Sequence, residues 1–210
     1  MSGIIKIEIP DMERTIRAMT RGVQHLPGEC SAAIARAVNR TLEAVRAEAV
    51  RMGREKYTAK AESLRKRANI RRATRSTPVG VLELRGRKGI SLIQFRAQPR
   101  QIPNWKGVPV RQRRPKGGVT NLVKKSGRRK VYAEGGNKPF VANVDGHLGI
   151  WVRYPGGNGK IHMLFGPSPI QAMGGLESRE RLQEKARETF EKRLQHEVNA
   201  ILAGHVRSGR

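Results

Sequence analysis

The stretch LESRERLQEKARETFEKRLQHEVNAILA, Leu176–Ala203, decides the fold class. Leu182, Ala186, Phe190, Leu194, Val198 and Ile201 recur every three or four residues, so a helix here carries one apolar stripe that must be buried against other elements. Glu177 with Arg181 and Glu188 with Lys192 stand at the i,i+4 spacing that supports a helix by about 0.2–0.5 kcal/mol per pair. We assign 176–204 to a C-terminal helix. A second long helix begins around Pro27 and Gly28 and runs to about Gly53. Its stripe is Ile34, Val38, Leu42 and Val45, and Ala32, Ala33, Ala37 and Ala49 allow close packing.

The remaining periodicity is that of strands. Ile5, Ile7 and Ile9 alternate with charged residues up to Pro10, and Asp11 then caps a short helix carrying Met12, Ile16, Met19 and Val23. Thr58 is expected to cap a short basic helix with Ala61, Leu64 and Ala68. Val79–Leu84 and Ile90–Phe95 are two β-prone runs, expected to form a hairpin through Gly86-Arg87-Lys88-Gly89. Phe140–Val144 and Gly149–Tyr154 flank Asp145-Gly146, a hairpin turn signal, and Ile161–Phe165 follows as a short strand. The expectation is one α+β domain over 1–210, a small antiparallel sheet meander of four to five strands packed by two long helices.

Charge is distributed unevenly. The 210 residues hold 43 Lys plus Arg against 17 Asp plus Glu, a formal +26. Residues 1–64 carry a net +3, 65–135 a net +19 and 136–210 a net +4. Within the middle third, 99–130 is rich in Pro and Gly and holds Arg111, Arg113, Arg114 and Lys116, then Lys124, Lys125, Arg128, Arg129 and Lys130. No apolar period persists there, so 99–130 reads as a long basic loop or arm without a core of its own. Lys and Arg clusters bind phosphates by counterion release, without sequence selectivity. Those nine residues are the candidate contacts to DNA or to an acidic partner.

Catalytic patterns fail on inspection. His196-Glu197 begins a metalloprotease pattern whose second histidine falls on Ala200. Gly156-Gly157-Asn158-Gly159-Lys160 lacks the first glycine of a phosphate loop, where Tyr154 stands, and its Ser or Thr, where Ile161 stands. His25, His147 and His162 are scattered, and the lone Cys30 has no companion base and excludes a disulfide framework. The reading is a non-enzyme with no catalytic residue, no metal and no cofactor. With 37% hydrophobic residues, no apolar run spans a bilayer, and Met1–Lys6 lacks a signal-peptide pattern, so a soluble product made in the cytoplasm, with no membrane partner, is expected.

The order of motifs resembles the prophage minor tail protein Z family of tailed phages, the tail completion proteins. The resemblance rests on Ala32-Ala33-Ile34-Ala35-Arg36-Ala37-Val38-Asn39-Arg40, on Leu64-Arg65-Lys66-Arg67-Ala68, and on Pro139-Phe140-Val141-Ala142 through Gly146-His147-Leu148-Gly149-Ile150-Trp151-Val152-Arg153. It also rests on Leu164-Phe165-Gly166-Pro167-Ser168-Pro169-Ile170. Departures are the longer Gln101 to Lys130 arm and Pro139 before Phe140. The resemblance implies a structural virion protein at the head-proximal end of the tail, needed for head-tail joining. It implies a homo-oligomeric ring, a hexamer, that meets the tail terminator, tail tube and head-tail connector, with packaged DNA passing through the lumen. Phe140, Gly146, His147, Arg153, Gly166, Pro167 and Ser168 are the family-motif residues, structural or at an interface. An alternative from another class is a nonspecific nucleic-acid-binding protein of ribosomal or chromatin type.

Overall fold

The computed structural model describes residues 4–204 except 8, 10, 11, 24, 87, 88, 103, 105, 108, 110–117, 133–136 and 156–158. In chain order the elements are β1 (Ile4–Ile7), α1 (Met12–Met19), α2 (Pro27–Lys56), α3 (Ala61–Arg65), β2 (Ala68–Arg71) and β3 (Val81–Arg85). Then come β4 (Thr120–Asn121), β5 (Arg129–Lys130), β6 (Phe140–Val144), β7 (His147–Arg153), β8 (Ile161–Met163), α4 (Pro169–Met173) and α5 (Leu176–Leu202).

The α+β class is as the periodicity predicts, and the two apolar stripes explain the main packing. Leu182, Ala186, Phe190, Leu194, Val198 and Ile201 of α5 are all buried, as are Ile34, Val38, Leu42 and Val45 of α2, in one hydrophobic cluster. The helices run antiparallel, because Arg36 reaches Glu197 near one end while Arg181 reaches Glu48 and Glu55 near the other. Buried Ala33, Ala37 and Ala49 keep α2 slim where other elements approach it.

A three-stranded antiparallel sheet, ordered β1-β3-β2, leans on α2 through buried Leu82 and Leu84. The approach is close at Gly80, where a Cβ would lie 2.7 Å from Leu42 Cδ1. The side-chain amide of Asn39 acts as a substitute strand for Ala73, donating to its carbonyl at 2.9 Å and accepting from its N–H at 2.8 Å. On the other face of the sheet Glu83 is buried, gripped by Arg71 on one carboxylate oxygen and by Arg85 on the other.

The structure corrects three local expectations. Thr58 caps no helix, since Lys60 takes that place and the Thr58 hydroxyl donates to Leu122 O. Ala68 belongs to β2, where strand pairing with Leu84 overrides the short helical pattern. The run 90–95 does not pair with β3, whose two sides are taken by β1 and β2. Instead Ile90 and Leu92 donate to Pro167 O and Leu164 O, and Leu92–Gln94 closes as a 3-10 turn.

Among the described residues the strands therefore form two three-stranded sheets and a two-stranded ribbon, not one meander. The second sheet, β6-β7-β8, follows the Asp-Gly signal, with Asp145 at φ 50 and Gly146 at φ 78, the paired left-handed conformation of a tight hairpin. Its buried face supplies Val141 and Ile150 to a second hydrophobic cluster with Ile93, Ala97, Val119 and Val131. The opposite face carries Phe140, Ala142, Val144, Trp151, Ile161 and Met163, all half-buried.

Candidate nucleic-acid interface

The basic segment is built into the fold at its C-terminal end. Val119 and Val131 are too apolar to be left in water, and burying them draws β4 and β5 together, with Thr120 opposite Lys130 and Asn121 opposite Arg129. Gln98 pairs with Thr120 through two backbone hydrogen bonds of 2.8 and 2.9 Å. Leu122 N donates to Phe95 O, and Thr58 N donates to Val123 O at 3.0 Å, so the ribbon is also tied to the end of α2. Residues 119–130 have no core of their own, but they bury Val119 and Asn121 against a core shared with other segments. Two valines and Asn121 form no recognisable period, yet they close a core begun elsewhere.

The predicted contact residues separate into three groups. Arg111, Arg113, Arg114 and Lys116 lie outside the described residues. Lys124, Lys125, Arg129 and Lys130 are exposed and meet no carboxylate among the described residues. Arg128 turns back on the protein, donating to Arg96 O at 2.9 Å and to Thr120 Oγ1 at 3.3 Å, and so braces the ribbon.

The seven residues singled out by the resemblance lie in the second sheet and in the segment that leads from it into α4. Gly146 makes the hairpin turn, and exposed His147 opens β7. The Arg153 guanidinium lies 5.8 Å from the Phe140 ring centre. A Cβ on Gly166 would lie 2.8 Å from Phe95 Cε2, so glycine lets 164–167 pair with 90–92 over the buried Phe95 ring. Pro167 supplies the carbonyl for Ile90 N, and Ser168 caps α4 in a reciprocal pairing with Gln171.

Two basic clefts that the sequence did not single out flank α2. One, of about 630 Å³, lies beside the ribbon and holds Arg51, Arg54, Glu55, Arg96 and Lys125. Arg51 is committed there, bonded to Glu48 and Glu55, and its hydrogen bond to Glu48 holds that carboxyl below its ordinary pKa. Arg54, Arg96 and Lys125 have no carboxylate partner among the described residues. Arg96 holds a left-handed backbone, φ 48, uncommon for a residue with a Cβ. The other cleft, of about 660 Å³, lies between α2, α3 and β2 and holds Arg46, Arg65, Lys66 and Arg72 against one carboxylate, Glu43. Arg65-Lys66 and Arg71-Arg72 were visible as runs, but only the turn from α3 into β2 brings Arg65 and Arg72 to one cleft with Arg46.

Among the described residues, no group of three or more His, Cys, Asp or Glu side chains could hold a metal ion, and no helix is long and apolar enough to cross a membrane. No protein-family model, curated protein or solved structure matches the chain.

Proposed function

We propose that the chain is a structural virion protein of a tailed phage, a tail completion protein that forms a ring at the head-proximal end of the tail and turns its basic ribbon and arm toward DNA in the lumen. The observation that carries this reading is the ribbon. Lys124, Lys125, Arg129 and Lys130 are held out from a root fastened to two cores, with no carboxylate among the described residues to neutralise them. Such a charge group repels its own copies in a ring until phosphate or an acidic neighbour offsets it, which couples assembly to binding. The half-buried apolar face of β6-β7-β8 supports the oligomer, since it supplies Phe140, Trp151, Ile161 and Met163 for a subunit contact. The tail terminator, tail tube and head-tail connector are the proposed neighbours, and the role is structural, with no catalysis.

Removing 111–130 would strip Val119 and Asn121 from the fold, so the test uses substitution. Lys124, Lys125, Arg129 and Lys130 are changed to Gln, alone and together with Arg111, Arg113, Arg114 and Lys116. The wild-type protein is expected to bind duplex DNA with steep salt dependence and to occur in a few copies per purified virion. The variants are expected to leave finished heads and tails unjoined. Salt-insensitive or absent DNA binding together with intact joining overturns the proposal, and cosedimentation with cellular nucleic acid but not with virions favours the ribosomal or chromatin-like alternative.

A further inference from the structure

We infer that the cleft between α2, α3 and β2 is a second binding site for the phosphate backbone of duplex DNA, on the track that leads along α2 to the ribbon. It rests on the proposed nucleic-acid role and extends it to residues outside the basic arm.

The lining is cationic by arrangement. The Glu43 carboxylate takes the Arg72 Nη2 at 2.7 Å on one oxygen and Arg46 Nη2 on the other, which sets two guanidiniums from separate elements side by side. Each is held by one Nη donor. Arg46 Nε is buried with no acceptor, and Arg65 has no ion-pair partner among the described residues. Lys66, also on the lining, is ion-paired with the exposed Glu62 at 2.8 Å. Forked guanidiniums in fixed positions match the oxygens of a phosphate.

The position of the cleft extends the ribbon's charge. Arg46, Val50 and Arg54 are spaced i, i+4, i+8 on α2, and the first lines this cleft while the other two line the cleft beside the ribbon. Arg46 and Arg54 are therefore about 12 Å apart along the axis, at about 1.5 Å per residue. With α2 laid along a duplex axis, that distance matches the rise of three to four base pairs, at about 3.4 Å each. Tyr57 lines the cleft beside the ribbon but is buried, and the lining of the other cleft holds no aromatic among the described residues, so no open ring face is offered to an unpaired base and duplex backbone is favoured over single strands.

The test measures binding of a fluorescent duplex oligonucleotide across a salt series. Four proteins are compared: wild type, Arg65→Gln with Arg72→Gln, the same pair changed to Lys, and the ribbon variant with Lys124, Lys125, Arg129 and Lys130 changed to Gln. The Gln pair is expected to lower the slope of log K against log salt by about 1.8, at about 0.9 per phosphate contact, and to weaken binding about eightfold per lost contact at 0.1 M salt. The Lys pair is expected to restore the slope, with unchanged melting temperatures excluding misfolding. If the Gln pair keeps the wild-type slope while the ribbon variant loses it, this inference is overturned and the proposed function stands. If the Gln pair loses slope and the ribbon variant does not, the cleft stands and the ribbon's role fails. A Gln pair that loses only polyglutamate binding makes the cleft an acidic-protein site and overturns the inference.

Discussion

Arg36 on α2 donates its Nε to Glu197 on α5 at 2.7 Å, across 161 residues of sequence. The Glu197 side chain is 10% exposed and that of Arg36 is 46% exposed, so the pair is asymmetric. Glu197 is the acid of the abortive metalloprotease pattern, and its task is to fasten one end of the helix pair. Losing the cation leaves a buried carboxylate unpaired, whereas losing the carboxylate leaves an arginine that water can solvate. Arg36→Ala is therefore expected to lower unfolding stability by about 1–3 kcal/mol. Glu197→Ala is expected to lower it by less, and denaturant titration of the two variants gives the comparison.

Glu83 makes stability depend on pH in a defined direction. The hydrogen bonds from Arg85 and Arg71 hold its carboxyl below the ordinary value of 4.5, despite the opposing effect of burial. A carboxyl whose pKa is lower in the folded state binds its proton first in the unfolded chain. Its contribution is therefore complete above about 4.5 and is lost as pH falls through the lower folded value. Glu48 and Glu62 act with the same sign, through Arg51 and Lys66. Denaturation midpoints measured from pH 7 down to pH 3 are expected to fall most steeply below 4.5 in the wild type. Glu83→Gln is expected to start lower and to flatten that acid limb.

The junction of the two sheets depends on absent side chains. A Cβ on Gly89 would lie 2.1 Å from Gly166 O, a backbone atom of the residue whose N–H donates to Ile90 O. Rotamer adjustment cannot relieve that contact. Gly89→Ala is expected to cost more than the about 1–3 kcal/mol typical of overpacking, and Gly166→Ala, against the fully buried Phe95 ring, to cost about that amount. Thermal unfolding of both variants, beside Gly28→Ala with open space at its Cβ, measures the difference.

Local pattern revealed whatever local pattern controls. The stripes of α2 and α5, the alternating isoleucines of β1 and the Asp145-Gly146 hairpin were all legible, because one face of each element repeats at its own period. The partner of β3 was not, because Leu82 and Leu84 suit any neighbour, and β1 and β2 reach it from positions remote in sequence. Ala68 likewise continues a helical spacing that only pairing with Leu84 overrides. At the candidate interface the charge was legible and its support was not. Lys124 and Lys125 stood out in the sequence, but Val119 and Val131 were lost among glycines and cations, and nothing nearby marked Arg54, Arg65 or Arg72 as cleft residues.

The hidden valines give the ribbon its own stability signature. Val119 is 1% exposed, within a small cluster shared with Ile93, Ala97, Val131, Val141 and Ile150. Truncating it to Ala removes two methyl groups, about 1.6 kcal/mol at about 0.8 per buried carbon, with a further cost for any cavity left. The loss falls where few contacts hold the ribbon, so Val119→Ala is expected to open it locally before the helix pair unfolds. Amide hydrogen exchange supplies the measurement. The N–H groups of Gln98, Thr120, Leu122 and Val131, all bonded across the ribbon's root, are expected to exchange faster in the variant, while those in the centre of α2 keep their wild-type protection. Uniform acceleration through α2 would instead make the ribbon part of the main cooperative unit. With the root open, the orientation of Lys124 and Lys125 is no longer fixed, so the same variant is expected to bind duplex DNA more weakly with an unchanged number of cations.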